Sequence, residues 1–153
     1  MDLEYVYILM DNEDSKIVLA SQSPRRVELL KKISAQFEVA PSSIEEKVDI
    51  GLRPEENAKN LARSKAESIA PSFPNCWVIG ADTLVTLDNE IFGKPEDEED
   101  AKRILKRLSG REHLVITGIC VVGPEKSIAK PITSKVKIKS LTYQEIEDYI
   151  ATG

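Results

Sequence analysis

Lys16-Ile-Val-Leu-Ala-Ser-Gln-Ser-Pro-Arg-Arg26 is the stretch that decides the fold. Lys16 to Ala20 is a short apolar run rich in β-branched residues and reads as a buried strand. Ser21-Gln22-Ser23-Pro24 ends it and opens a helix, since Ser23 suits the N-cap and Pro24 the first helical position. The helix is expected to reach about Ile33, with Val27, Leu30 and Ile33 facing inward. At the turn itself, two hydroxyls, the free N–H groups of a helix start and the guanidinium forks of Arg25 and Arg26 converge. Such a set suits a phosphate chain. A plain capped helix with two solvated arginines accounts for the spacing equally well. No GxxxxGK[ST] segment is present, so this is not a P-loop.

Working outward, Phe37 to Ala40 reads as a second strand, closed by Pro41 and an acidic loop. Pro54 starts a helix to about Ile69, with Ala58, Leu61, Ala62 and Ile69 as its apolar stripe. Trp77 to Leu87 has strand character interrupted by Gly80 and Asp82, and Asp88-Asn89 reads as a turn. A third helix is expected from about Asp97 to Leu108, stopped by Gly110. Leu114 to Val122 reads as a strand, bent or bulged near Thr117-Gly118. Ile132, Ser134, Val136 and Ile138 alternate with Lys135, Lys137 and Lys139, the pattern of a half-exposed strand whose lysines discourage edge pairing. Thr142 and Glu145 form a capping box for a last helix carrying Ile146, Tyr149 and Ile150. Alternating strands and helices predict an α/β fold with antiparallel content toward the C-terminal half.

The chain has 153 residues, enough for one domain that buries roughly 68–70% of its unfolded surface. A net charge of −5 with 5% aromatic residues argues against a nucleic-acid polymer as partner. Cys76 and Cys120 form no CxxC pair, so a disulfide framework is not expected and a reducing cytoplasm fits. The single histidine, His113, excludes multi-histidine metal sites. Any metal would be held mainly by carboxylates, pointing to Mg²⁺ or Mn²⁺. No apolar run approaches the roughly 20 residues of a membrane span. Residues 1–15 are acidic and lack the basic start of a secretory signal; they read as a leader, with residues 16–153 as the domain.

Two further positions carry chemistry, Asp82 and Lys65. Asp82 lies inside an apolar run, where a charge must be paired, hydrogen-bonded or metal-bound unless a turn exposes it. Lys65 falls on the apolar side of its helix, and snorkelling is the simpler account of it. Glu45-Glu46, Lys94 before a proline, and His113 are weaker signals: solvated loop carboxylates, a turn residue and a structural histidine explain each one singly. Together they make a set of cations and carboxylates appropriate to metal-assisted phosphate chemistry.

Leu19-Ala-Ser-Gln-Ser-Pro-Arg-Arg26, Glu45-Glu46, Leu61-Ala-Arg-Ser-Lys-Ala66, Ile79-Gly-Ala-Asp-Thr83, Gly93-Lys-Pro95, Leu108-Ser-Gly110 with His113, and Thr117-Gly118 occur in order. This series closely resembles the Maf family of nucleoside triphosphate pyrophosphatases, from about Lys16 to Gly153. The resemblance implies a mixed twisted sheet with flanking helices and a central cleft, similar to the inosine triphosphate pyrophosphatases. It implies hydrolysis of a nucleoside triphosphate to monophosphate and pyrophosphate with Mg²⁺ or Mn²⁺. By position, Asp82 would activate the attacking water. Glu46 would help place the metal or the water, so that Glu46 and Asp82 are the expected metal ligands. Ser21, Ser23, Arg25, Arg26, Thr83, Lys65 and Lys94 would hold the substrate and neutralise its phosphates. Arg25 and Thr83 match the dTTP/UTP type rather than the 7-methyl-GTP type, which has an aromatic residue and a glutamine at those places.

Family members usually continue for about 40 residues past the segment matching Leu141 to Gly153, in keeping with a larger single domain. The resemblance therefore also implies exposed apolar surface unless a partner covers it, and it leaves a homodimer open. The rival reading is a catalytically inactive, truncated Maf-like nucleotide-binding protein acting through protein contacts, for example in cell division.

Overall fold

The computed structural model describes residues 16–33 and 36–152, so the leader reading of residues 1–15 lies outside them. Six strands, β1 (Lys16–Leu19), β2 (Glu38–Val39), β3 (Cys76–Leu87), β4 (Glu90–Phe92), β5 (Glu112–Val122) and β6 (Ser127–Lys137), form one mixed sheet. Its order is β2–β1–β3–β5–β6, with β4 also on β3. The β2, β1 and β3 strands run parallel, whereas β5 and β6 are antiparallel to their neighbours. The helices are α1 (Pro24–Lys31), α2 (Pro54–Ile69), α3 (Glu98–Leu108) and α4 (Tyr143–Ile150).

The pairing of β3 creates the site. Along one edge β3 pairs with β5 without interruption from Val78 to Thr86. Along the other, β1 covers Cys76 to Ile79 and β4 covers Val85 to Leu87. Gly80 to Leu84 therefore lie on a bare length of edge between two short strands that meet β3 end to end. The C-terminal end of β1 delivers Ser21 to this gap, where ligands of open α/β sheets characteristically bind.

Successive strand residues face opposite sides of the sheet, so Leu84 and Ile116 pack with Ala58 and Leu61 of α2. Leu87, on the opposite side, packs with Phe92 and with Leu108 of α3. A further cluster, Val18, Ala20, Ala62, Ala66, Val78 and Cys120, locks α2 over β1, β3 and β5.

Gly80 and Gly118 have a purpose other than the predicted interruption of one strand and bulge in the other. The β3–β5 register advances one residue at a time throughout, with no bulge at Thr117-Gly118. A Cβ at Gly80 would lie 2.3 Å from the Ala62 carbonyl oxygen, and one at Gly118 would lie 1.9 Å from that of Ala58. Both glycines let the backbone of α2 rest directly on the sheet.

The remaining elements follow local chemistry. Asp88 and Asn89 both take positive φ, 53° and 67°, as a two-residue hairpin turn requires. The turn leads into β4, a three-residue strand too short to show a sequence period. Asp97 caps α3 by accepting from the Asp100 N–H. Thr142 and Glu145 close the expected capping box on α4. Ser23 sits at the N-cap of α1 without a side-chain capping bond, and α1 ends at Lys31, before Ile33. Ile33 is 67% exposed, so it does not face inward, and Tyr149 is as open to solvent. Apolar side chains are also exposed on the edge strand β6, at Ile132 and Val136. Among the described residues no helix is long and apolar enough to cross a membrane.

Candidate active site

A cavity of about 740 Å³ opens at the bare edge of β3, lined by Ser21, Arg26, Glu46, Lys65, Asp82 and Lys94 among others. Asp82 is not the exposed turn residue that its neighbourhood allowed. It is 5% exposed, within an unbroken strand, and lies directly across from Gly118 on β5. Its side chain turns toward α2, whose close seat over the two glycines brings Lys65 to it. The Lys65 Nζ donates to Asp82 Oδ1 at 2.5 Å and pairs with Glu46 Oε1 at 2.7 Å. Snorkelling is thus corrected: the ammonium, on a residue 7% exposed, points inward between two carboxylates. Two anions sharing one cation satisfy the requirement that a buried charge be paired.

Glu46 comes from the irregular loop between β2 and α2. The hydrogen bond from Lys65 holds its carboxyl below the ordinary value, against the opposing effect of partial burial. The charges of Lys65, Lys94 and Arg26 pull in the same direction. Those three cations therefore surround one carboxylate, an arrangement suited to a polyanion that enters among them.

Thr83 points to the other face of β3 from Asp82. Arg26 reaches it from α1, with Nη2 donating to Thr83 Oγ1 at 3.1 Å and Nη1 to Ser21 Oγ at 3.4 Å. Ser21 Oγ also accepts from the Ser23 N–H at 3.2 Å, which orders the turn before α1. Ser23 lines the cavity, as does Lys94 just after β4. Arg25 is exposed and does not line it. Glu45 also stays outside, paired with Lys47 at 2.9 Å on the surface. His113 is buried and outside the cavity lining, and its Nδ1 has no hydrogen-bond partner among the described residues. The structural reading of His113 fits, but its polar atom is not satisfied as that reading expected.

Several contributors escaped the sequence reading. Thr117 pairs its hydroxyl with that of Thr83 at 3.2 Å. Ser42 lines the cavity and bonds Ser68 of α2 at 2.9 Å. Asn57 is buried near the start of α2. Thr117 stands in the motif series with Gly118 but was given no role, Asn57 left a signal as an amide on an apolar stripe one turn before Leu61 and two before Lys65, and Ser42 left none.

Among the described residues no group of three or more His, Cys, Asp or Glu side chains converges. Glu46 and Asp82 are two hard oxygen donors already facing one cation. Mg²⁺ characteristically takes one or two carboxylates and completes its shell with water and substrate phosphates. The donor set fits a divalent ion that arrives with a nucleotide better than one held in an all-protein cage.

The family model described as Maf-like protein matches residues 16–153. The dTTP/UTP pyrophosphatase of Koribacter versatilis is 44% identical over 137 residues, covering 90% of this chain and 71% of that protein. The dTTP/UTP pyrophosphatase of Aquifex aeolicus is 46% identical over 138 residues, covering 90% and 72%. Among solved structures, the Staphylococcus aureus Ham1 protein aligns with a TM-score of 0.61 at 20% identity, over 84% of this chain and 74% of that one. The nucleoside-triphosphatase / dITP/XTP pyrophosphatase of Mycobacterium abscessus aligns with a TM-score of 0.50 at 18% identity, over 90% and 94%. At such identities the two structures establish a shared α/β fold.

Proposed function

The chain belongs to the Maf family, and from that premise we propose that it hydrolyses nucleoside triphosphates to the monophosphate and pyrophosphate. The pyrimidine nucleotides dTTP and UTP, or modified forms of them, are the favoured substrates; relatives carrying that name support this choice, as does Thr83, which matches that type and lines the cavity. The observation that carries the reading is the buried Lys65 ammonium between Glu46 and Asp82, facing a cavity that Arg26 and Lys94 also line.

The triphosphate lies among Arg26, Lys65 and Lys94, with the Ser21 and Ser23 hydroxyls donating to its oxygens. Asp82 takes a proton from a water directed at the α-phosphorus. The new P–O bond forms as the bond from the α-phosphorus to the α,β-bridging oxygen breaks, and pyrophosphate leaves with that electron pair. Lys65 fixes one oxygen of Asp82, so the carboxylate keeps its aim without freedom to rotate. Positioned cations then meet the charge that grows on the phosphate oxygens. Glu46 and Asp82 would hold Mg²⁺ or Mn²⁺, which when bound would supply charge neutralisation at the phosphates.

A panel of triphosphates with Mn²⁺ or Mg²⁺, assayed for monophosphate and pyrophosphate, tests this with Asp82→Asn alongside. The expected result is turnover led by dTTP and UTP and lost in Asp82→Asn, with the variant still folded. Nucleotide binding without turnover would favour the non-catalytic alternative.

A further inference from the structure

Glu46 sits on a chain segment, residues 40–53, without helix or strand, yet the site needs its carboxylate within reach of Lys65. The segment runs beside α2 and is fastened to it at both ends. At one end Ser42 Oγ bonds Ser68 Oγ at 2.9 Å, and Ser68 in turn donates to the Lys65 carbonyl at 2.8 Å. At the other end stands Asn57. Its Oδ1 accepts from the Asp49 N–H at 2.8 Å, while its Nδ2 donates to the Asp49 carbonyl at 2.9 Å and the Leu52 carbonyl at 3.2 Å.

This is an unusual use of a helical side chain. Asn57, Leu61 and Lys65 follow at intervals of four and share one face of α2, placing Asn57 about 12 Å along the axis from Lys65. The residue is 2% exposed, and an amide left unpaired in a buried place is costly. It spends both ends on the loop, gripping both backbone groups of Asp49 as a neighbouring strand would. Asp49 then folds the chain around itself, accepting from the Gly51 N–H on its side chain and the Leu52 N–H on its carbonyl. Asp49 lies only three positions after Glu46, a reach of at most ~11 Å when extended.

We propose that Asn57 is a positioning residue, clasping the Asp49 end of the loop so that Glu46 is held over the Lys65–Asp82 pair. This rests on the pyrophosphatase reading only for its kinetic consequence. The Asn57 amide touches neither carboxylate and acts through the loop. Without the clasp Glu46 stays tethered at Ser42 and by its own ion pair, and it samples positions away from Lys65.

Two measurements on the same chain test this, each with Asn57→Asp and Asn57→Ala. Asn57→Asp preserves the shape but replaces the donating nitrogen with an acceptor facing the carbonyls of Asp49, Leu52 and Arg53. In hydrogen exchange without nucleotide, both folded variants should lose protection across residues 43–52 while β3 and β5 keep theirs. Unchanged exchange there overturns the clasp. In turnover of dTTP with Mn²⁺, each variant should lose roughly 10- to 100-fold in kcat/KM, the range for outer-shell partners of functional ligands. In a Glu46→Gln background the same substitutions should cost less than twofold, since there is no carboxylate left to place. Equal losses in both backgrounds would make Asn57 a stability residue and overturn the positioning role. If the unsubstituted chain turns over no nucleotide, the pyrophosphatase reading fails, while the exchange result still decides whether Asn57 holds the loop that carries Glu46.

Discussion

Replacing Gly118 with alanine tests how the fold builds the site. The added Cβ would lie 1.9 Å from the Ala58 carbonyl oxygen, 2.3 Å from its carbon and 2.7 Å from the Lys59 nitrogen. These are backbone atoms of α2, so no rotamer change relieves them. The oxygen must retreat by about 1.5 Å to regain ordinary contact, and α2 must shift with it. Overpacking of this kind costs about 1–3 kcal/mol. At ~2–4 °C per kcal/mol for a chain of this size, the melting temperature should fall by roughly 2–12 °C. Gly118 faces Asp82 across the strand pair, and α2 carries Lys65. The same retreat stretches the 2.5 Å Lys65–Asp82 contact well beyond the ~3.2 Å limit of a good hydrogen bond. Turnover measured well below the melting transition should therefore fall as well. Gly93→Ala is the control, because a Cβ there meets nothing within 4 Å. It should melt within about 2 °C of the parent. A Gly118→Ala chain that melts with the parent and keeps its full rate would refute the argument that the helix rests on the glycines.

Other substitutions separate the roles of the charges. Lys65→Met leaves the buried Asp82 carboxylate uncompensated, at about 3–5 kcal/mol, so calorimetry should show a marked drop in melting temperature. Combining it with Asp82→Leu should recover much of that loss but no activity. Arg26→Ala should raise KM for dTTP more than Arg25→Ala, because of the two only Arg26 lines the cavity; steady-state kinetics of the pair decides it. Glu145 is held near a pKa of about 2, chiefly by Lys139 and then by the Thr142 N–H, against an ordinary value of 4.5. A carboxyl lowered on folding stabilises the fold above its unfolded value and ceases to do so as pH falls through its folded one. The melting-temperature gap between the parent and Glu145→Gln should be full at pH 7 and shrink between pH 4.5 and 2.

The strand-to-helix turn at Ser21 to Pro24, the helix beginning at Pro54, the Asp88-Asn89 turn and the Thr142 capping box were legible because local backbone preferences alone specify them. Asp82 was legible because a charge amid apolar residues demands a partner. The partner itself was not. Lys65 and Glu46 meet Asp82 only through the packing of α2, and a lysine at the edge of an apolar stripe has the same pattern whether its amine turns in or out. Gly80 and Gly118 were misread for a related reason. Glycine in a strand signals either a broken ladder or a close neighbour, and choosing between them requires the neighbour. Arg25 and Arg26 are adjacent in sequence but about 100° apart around a helix, so one lines the cavity and the other does not. Ile33 looked like core because periodicity was extended past Lys31, where the helix ends and the chain no longer keeps the helical phase.

The most direct test of the account is hydrolysis of dTTP in ¹⁸O-labelled water with Mn²⁺, comparing the parent chain with Asp82→Asn. Water directed at the α-phosphorus places the label in the monophosphate and none in the pyrophosphate, and Asp82→Asn should form little of either product. Label in the pyrophosphate, or an undiminished rate in Asp82→Asn, would contradict it.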